Sequence, residues 1–561
     1  MSATNNPTPE PHTFQIGLCM AGAVSAGAYT AGMLDFLIEA LDSWEAARAR
    51  GERVPSHRVR LRALSGASAG GMCAAILAAL LYRRFPPARA GSDRSANPLW
   101  RAWVEGPRIE ALLDPSDRGP QAGPLRSLLN VRVLQQIVDS VLDTPGEPAH
   151  RPWVASSLPL ALSLGNLRGV PYGMSFGGAN LPSHKMRMHA DSATFVVGTA
   201  RPEHPDLLPL ENPASSRGGN WPRLGQAALA SGAFPLFLQA RALSRPGTDY
   251  LKREILVPGD GHPDSIHRDA KLGSLVPDWP KGTPDPYDYL CVDGGVFDNE
   301  PLDLCRRFMM DAPGQRLVRD GRFADRSVLM VDPFPDSADD AALPADTPLQ
   351  RIVLALVEAW KMQSRFGAVD VALAAAPDVY SRMMLVPSRG SGAEASGAPL
   401  AAGGLGAFLG FFHQAFREHD FQLGRRNCQR FLRLHLALPT TNPLFGEVPF
   451  VPADATHEAE LVQRWQKTPD LPAHYPVIPL IGACAQEERL PDWPRGVLKP
   501  DSMAPPIRAR MDAVVKDLLR PAPLGYFGGI AARGYWWWKR DELVKAAIGA
   551  IATSLREKQL A

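Results

Sequence analysis

Short runs of apolar residues predict the strands of a sheet in the first 335 positions. These runs are 14–20, 59–63, 194–198, 289–292 and 327–332. Helical spacing appears after the first run, where Met33, Leu34 and Leu37 fall on one face and Asp35 and Glu39 lie off it. A second predicted helix, 72–82, follows the second run directly.

The remaining segments predict a tail, an insertion and a C-terminal region. Residues 1–13 are rich in Asn, Thr and Pro, which predicts a disordered tail. Residues 88–190 contain helical spacing at 97–113 and 125–142, which predicts a helical insertion that forms a lid or a pocket wall. A stretch dense in Asp, Ala and Pro suggests a domain boundary near 340. Beyond it we expect a mostly helical region, 340–561, with helical patterns at 349–365 and 408–436.

Composition and charge narrow the function classes. The chain is 45% hydrophobic and 21% charged, and its formal net charge of +2 gives no support to nucleic-acid binding. The six cysteines have no paired spacing, which indicates reduced thiols and a cytoplasmic protein. The uncharged stretch 14–34 is long enough to span a bilayer, but its glycines and its change of periodicity predict a protein core instead.

The motif that organises this chain is Gly66-Ala67-Ser68-Ala69-Gly70, between a predicted strand and a predicted helix. Gly-X-Ser-X-Gly in this context is typical of a nucleophile elbow, a sharp turn that exposes the serine and tolerates only small neighbours. The helix that starts behind Ser68 offers free backbone N–H groups to an oxyanion. A connection without chemistry is the alternative explanation of the motif.

A second loop of small residues, Gly22 to Gly27, joins the first predicted strand to its helix. A dinucleotide-binding turn would need three glycines at fixed offsets, and only Gly22 and Gly27 are present. We therefore expect the loop to supply oxyanion N–H groups, from Gly22, Ala23 and Val24, beside the one from Ala69.

Asp293 ends the apolar run 289–292 and precedes Gly294-Gly295. Parallel α/β sheets gather strand ends along one edge, so Asp293 and Ser68 can meet there. A carboxylate in that position can accept the serine proton and act as a general base. The alternative is ordinary Asp-Gly turn chemistry.

A polar stretch between residues 244 and 287 also invites a metal-site interpretation. It contains Asp260, His262, Asp264, His267 and Asp269. Their spacing matches no known metal-binding loop, so we expect a solvated insertion and no metal or other cofactor.

Four blocks in this order resemble the patatin-like phospholipase family over about residues 14–335. They are the glycine loop, the serine motif, the segment Ala230-Ser-Gly-Ala-Phe-Pro235, and Asp293-Gly-Gly295 with Asn299 and Pro301 after it. The resemblance implies a three-layer α/β/α sandwich around a mainly parallel sheet, and a lipid acyl hydrolase with a Ser–Asp dyad. Ser68 would be the nucleophile and Asp293 its base. The segment Asp420-Phe-Gln-Leu-Gly-Arg425 is similar to one in larger bacterial patatin-related proteins.

The glycine loop departs from the family pattern Gly-Gly-Gly-X-Arg-Gly, because Ala23, Val24 and Ala26 replace two glycines and the arginine. This departure motivates one alternative, a catalytically weak patatin fold kept as a binding or scaffold protein. A Ser-Asp-His triad is another alternative, with His413, His419 or His435 as base.

The aromatic segment Tyr535-Trp-Trp-Trp-Lys-Arg540 precedes a predicted helix that ends near residue 558. Trp and Tyr beside cations suit a membrane–water interface, so peripheral membrane contact is one interpretation. Four adjacent aromatics point all round a helix, however, and this favours packing within the protein. The expected partner is a lipid or lipid-like ester, while protein partners are not predicted.

Overall fold

The structure is a computed structural model, and the residues that it describes begin at His12. The described residues are 12–119, 122–144, 146–174, 184–198, 205–211, 213–214, 216–258, 270–310, 318–334, 343–349, 351–352, 355–356, 359, 365, 379–380, 382–390, 398–446, 474–519 and 525–561. Three predicted features therefore lie outside the described residues: the tail as far as residue 11, the metal candidates 260–269, and most of the helix 349–365.

Strands account for most of the buried apolar runs. They are β1 Thr13–Met20, β2 Arg58–Gly66, β3 Ser157–Met174, β4 His184–Gly198, β5 Leu208–Leu210, β6 Arg241–Arg245, β7 Glu254–Pro258, β8 Ala270–Ser274, β9 Tyr287–Asp293, β10 Arg326–Val331, β11 Arg382–Leu385, β12 Ala437–Pro439 and β13 His474–Pro476.

In the described part of the chain, nine of these strands form one central sheet. Seven of them follow the order β11-β10-β1-β2-β3-β4-β5, and the other two are β9, which pairs with β3, and β6, which pairs with β9. The pairs from β11 to β3 are parallel, as is β4 with β5, while β3–β4, β3–β9 and β6–β9 are antiparallel. The sheet is thus mainly parallel, as the resemblance implied.

Helices cover both faces of this sheet. They are α1 Gly27–Ala49, α2 Ser68–Leu80, α3 Pro98–Trp100, α4 Ile109–Leu113, α5 Arg132–Leu142, α6 Trp221–Ser231, α7 Leu302–Phe308, α8 Leu409–Phe412, α9 Gln414–Leu434, α10 Ala504–Leu518 and α11 Gly525–Glu557.

The alternation of side chains along β1 builds the two cores of a three-layer α/β/α sandwich. Leu18 packs into the core shared with α1 and α2, whereas Cys19 packs against Cys305 and Phe308 of α7 on the opposite face. The predicted α/β/α fold is therefore confirmed.

The predicted helical insertion 88–190 is wrong in its second half. Helical structure ends with α5 at Leu142, and β3 begins at Ser157 as a long strand of the central sheet. The run 157–165 is almost continuously apolar because both faces of β3 are buried, so it lacks the alternation that marks a half-buried strand.

The C-terminal region is helical as predicted, yet it is packed into the sandwich beyond the expected boundary near 340. Strand β11 extends the central sheet next to β10, and α9 packs along α1. Among the described residues, no helix is long and apolar enough to cross a membrane.

Candidate active site

The serine motif forms the predicted turn. β2 ends at Gly66, and Ser68 is the first residue of α2 with a left-handed φ of +52°. That conformation disfavours a non-glycine residue and is typical of a nucleophile elbow. A Cβ atom at Gly66 would lie 2.5 Å from the carbonyl oxygen of Gly70, and one at Gly70 would lie 2.1 Å from that of Met20. Glycine is thus required at both positions.

The structure brings Ser68 and Asp293 together. The Ser68 hydroxyl donates a hydrogen bond to Oδ2 of Asp293 at 2.6 Å, and both residues are buried, with 7% and 2% of their surfaces exposed. This is the distance at which a carboxylate can take the proton of a hydroxyl during its attack on an ester.

The reason why the two residues meet differs from the expectation. β9 runs antiparallel to β3, rather than parallel with its neighbours, and Asp293 pairs with Leu164. Gly66 at the end of β2 pairs with Leu162 on the same edge of β3. The carboxyl ends of β2 and β9 therefore approach each other head-on along one strand.

Backbone and side-chain contacts fix both residues. Oδ1 of Asp293 accepts the N–H of Gly295 at 2.8 Å, and the N–H of Asp293 donates to the carbonyl of Ala233 at 2.9 Å. The N–H of Ser68 donates to Oγ of Ser231 at 3.0 Å. The role of Ser231 was missed in the sequence analysis, although it lies in the block 230–235 that carries the resemblance.

The predicted oxyanion donors of the glycine loop differ in their hydrogen bonds and backbone conformation. The Gly22 N–H donates to the carbonyl of Asn299 at 3.3 Å, so this donor is engaged, and a Cβ at Gly22 would lie 2.3 Å from Oδ1 of Asn299. Glycine is thus required at position 22 because the Asn299 side chain lies too close for a Cβ atom. Val24 has a φ of +47°, an outlier for a β-branched residue. Ala23, Val24 and Ala69 stay predicted oxyanion donors.

A buried ionic network lies behind Asn299. The Asn299 side chain donates to Oε1 of Glu300 at 2.6 Å, and Arg365 donates to the same oxygen at 2.8 Å. Burial raises the pKa of Glu300 to about 7, although the Arg365 guanidinium acts in the opposite direction. Glu300 therefore titrates near neutral pH beside the loop that carries Asn299.

Ser68 opens onto an apolar pocket of about 960 Å³, a volume that includes space open to solvent. None of its described lining residues is charged. Helices α2, α5 and α6 supply much of the lining, which includes Met72, Ile76, Ile137, Val138, Leu224 and Ala228. Helix α5 is the part of the predicted insertion that forms a pocket wall.

The three histidines of the triad alternative have other contacts. His413 caps α9 by accepting the N–H of Ala415 at 3.2 Å, and His419 contacts Asp420 at 2.9 Å. His435 stacks on Phe431. Because the Ser68 hydroxyl bonds to Asp293 directly, the geometry disagrees with a histidine placed between the two.

The tryptophans of the segment 535–540 divide into two groups. Trp536 is half-buried and donates to Asp512 at 3.0 Å, as expected for packing. Trp537 and Trp538 are 73% and 70% exposed, so packing does not account for them. Lys539 lies over the Trp538 ring at 4.8 Å.

Comparison with known proteins identifies the family of this chain. The model of the patatin-like phospholipase family matches residues 18–306. The chain is 34% identical over 528 residues to uncharacterized protein y4iI of Sinorhizobium fredii (strain NBRC 101917 / NGR234), covering 86% of this chain and 73% of that protein. The chain belongs to the patatin-like phospholipase family.

One solved structure is similar at a much lower level. VipD from Legionella pneumophila is 14% identical, with a TM-score of 0.21, over 74% of this chain and 67% of that one. This score is too low to support any argument about the present chain.

Proposed function

We propose that this protein is a serine ester hydrolase that cleaves carboxylic esters of lipids through Ser68 and Asp293. The single observation that carries the proposal is the 2.6 Å hydrogen bond from Ser68 to Asp293 at an apolar pocket. The family supports action on lipid esters in general.

In the proposed reaction, Ser68 Oγ attacks the ester carbonyl carbon while its proton passes to Oδ2 of Asp293. Backbone N–H groups of Ala23, Val24 and Ala69 stabilise the resulting oxyanion. The alcohol leaves with the proton from Asp293, and the acyl group stays on Ser68. Water then attacks the carbonyl carbon of this acyl-enzyme and gives its proton to Asp293. As the bond from the acyl group to Ser68 Oγ breaks, Asp293 passes that proton to Oγ, so the carboxylic acid is released and both residues return to their starting states.

The pocket supports the assignment of a lipid acyl chain to the acyl side of the ester. The lining is uncharged, so a hydrocarbon chain that binds there leaves water for an apolar environment. This transfer stabilises the bound chain by about 0.8 kcal/mol for each buried CH₂. A charged headgroup would have no partner there, so the headgroup stays outside.

Labelling with a fluorophosphonate, together with hydrolysis of a panel of short and long esters and of phospholipid vesicles, tests the proposal. Turnover should depend on Ser68. A catalytically weak binding or scaffold protein is the second candidate, because the strained Val24 and the engaged Gly22 N–H depart from a glycine-rich oxyanion loop. Background turnover in every assay would favour that candidate.

We also propose a cytoplasmic protein that contacts the membrane peripherally. The six cysteines are buried and unpaired, which suits a reducing compartment. The exposed Trp537 and Trp538 beside Lys539 suit the interface of a bilayer that contains anionic lipid.

A further inference from the structure

A segment of the C-terminal region, the strap (residues 400–412), lies against the glycine loop. The Ser25 N–H donates to the carbonyl of Ala407 at 3.2 Å, and the Ser25 hydroxyl donates to the same carbonyl. One oxygen of the strap thus fixes both the main chain and the side chain of Ser25, the residue that follows Val24.

The strap has a strained backbone that needs support. Leu405 and Ala407 have φ values of +54° and +73°, with Gly406 between them at +61°. Left-handed conformations cost a non-glycine residue about 1–2 kcal/mol each. The strap keeps them because other residues hold it in place.

Helix α9 supplies that support through two buried side chains. Asp420 accepts the N–H of Ala401 at 2.9 Å and that of Ala402 at 2.8 Å. Arg417 donates to the carbonyl of Gly410 at 2.6 Å. The two side chains therefore anchor the strap on either side of Ala407.

Helix α9 is in turn fixed to α1, the helix that begins where the glycine loop ends. Arg425 is buried and forms ion pairs with Asp35 and Glu39 of α1 and with Glu488. Tyr29 donates to the side chain of Asn427 at 3.1 Å. The segment Asp420–Arg425 thus connects the strap at one end with α1 at the other.

The same packing surrounds the position at which the family pattern has an arginine. Ala26 takes its place, and its surface is 0% exposed. The turn Val24–Ala26 contacts α8, α9 and residues 401–403. An arginine at position 26 would have to enter this packed region.

We propose that Ser25, Asp420 and Arg417 are positioning residues, which hold the N–H groups of Ala23 and Val24 towards an oxyanion at Ser68. The proposal rests on the proposed function. In this chain the C-terminal region holds the glycine loop in place, and it contacts the loop through the carbonyl of Ala407. The strap also keeps Val24 in a conformation that a β-branched residue would otherwise leave.

Hydrogen exchange tests the hold on the loop without any catalysis. In Asp420→Asn the amide group cannot accept both N–H bonds, and in Ser25→Ala the hydroxyl donor is lost. Amides of residues 22–27 should exchange at least several-fold faster in each variant than in wild type. Ser43→Ala is the matched control, because Ser43 lies on α1 and touches Cys484 of the C-terminal region at 3.6 Å. Its exchange should be that of wild type.

Kinetics on a short soluble ester test the consequence for the reaction. In Asp420→Asn and Ser25→Ala we expect kcat, divided by the number of serines that a fluorophosphonate titrates, to fall about ten-fold, with KM within about two-fold of wild type. This loss is smaller than the roughly 10²–10³-fold loss that follows removal of an oxyanion donor, because the donors are still present and only less well held. A structural role alone would reduce the number of titrated serines and leave kcat per serine unchanged.

The outcomes separate this inference from the proposed function. Unchanged exchange in both variants, or faster exchange with an unchanged kcat per serine, would overturn it. If Asp420→Asn does not fold, Ser25→Ala decides by the same criteria. If exchange is faster in the variants but the wild-type protein hydrolyses no ester, the contact between the strap and the loop is supported and the proposed function is contradicted instead.

Discussion

Ser68 and Asp293 share a hydrogen bond of 2.6 Å although 225 residues separate them in the chain. They meet because β2 and β9 end head-on along the same edge of β3, at Leu162 and Leu164. The buried strand β3 is therefore the element on which the whole site depends.

Arg425 offers a test of how firmly the C-terminal region is joined to α1. Arg425→Gln leaves the buried carboxylates of Asp35, Glu39 and Glu488 without their shared cation. We expect a loss of roughly 3–5 kcal/mol in the free energy of unfolding, measured by urea denaturation. The neighbouring Arg426 pairs with the exposed Glu487, so Arg426→Gln is the matched control and should cost at most about 1 kcal/mol. Equal losses in the two variants would contradict this account.

The titration of Glu300 predicts a specific pH dependence of stability. Its pKa is about 7 in the folded protein and near 4.5 when exposed, so the folded state binds the proton more tightly. This contribution to stability is full below about pH 4.5 and is lost as the pH rises through 7, by roughly 3 kcal/mol.

Glu300→Gln removes the titrating group while keeping a similar shape. Between pH 5 and pH 8, the free energy of unfolding of the variant should therefore fall by less than that of wild type. Urea denaturation of both proteins at the two pH values measures this. An identical pH dependence in the variant would show that Glu300 does not titrate in this range.

The apolar pocket predicts a preference for long acyl chains that a larger side chain should abolish. Ala228 of α6 lines the pocket, and Ala228→Phe should fill part of it. We expect kcat/KM for a long-chain ester to fall at least about ten-fold, because each excluded CH₂ forfeits about 0.8 kcal/mol. A four-carbon acyl ester serves as the control in the same protein and should change less than about two-fold. Parallel losses on both esters would mean that the acyl chain binds elsewhere.

The exposed tryptophans predict where the protein touches a membrane. A variant with both Trp537→Ala and Trp538→Ala should have a free energy of unfolding within about 0.5 kcal/mol of wild type, because both side chains are mostly exposed. Its co-sedimentation with anionic vesicles should fall several-fold. Trp536→Ala is the control: it loses the bond to Asp512 and should lower stability without reducing vesicle binding in the folded protein. Vesicle binding at the wild-type level in the double variant would exclude these two residues as the contact.

Local patterns in the sequence predicted much of the site, because the elbow and the turn at Asp293 depend on short-range chemistry. Gly66 and Gly70 are needed for contacts within a few residues of Ser68 or with the adjacent β1. The long-range pairing could not be predicted in the same way. The pattern of residues 289–293 does not indicate that β9 is antiparallel to β3. β3 itself lies in the segment that we had predicted to be a helical insertion.

The contacts of the glycine loop were also beyond sequence reasoning. The sequence showed Val24 in place of a glycine of the family pattern, but the carbonyl of Ala407 that fixes the adjacent Ser25 comes from far along the chain. The segment Asp420–Arg425 was noted only as a resemblance. Its buried ion pairs and its hold on the strap appear once α9 is seen against α1.

The central claim, that Ser68 and Asp293 carry out ester hydrolysis together, is tested most directly by one kinetic comparison. Hydrolysis of a soluble ester is measured for wild type, Ser68→Ala and Asp293→Asn, with folding of each checked by urea denaturation. We expect both variants to lose at least about 10³-fold in kcat, because the serine supplies the nucleophile and the aspartate accepts its proton. Turnover at the wild-type rate in a folded Asp293→Asn protein would contradict the dyad, and the same result in Ser68→Ala would contradict the proposed function.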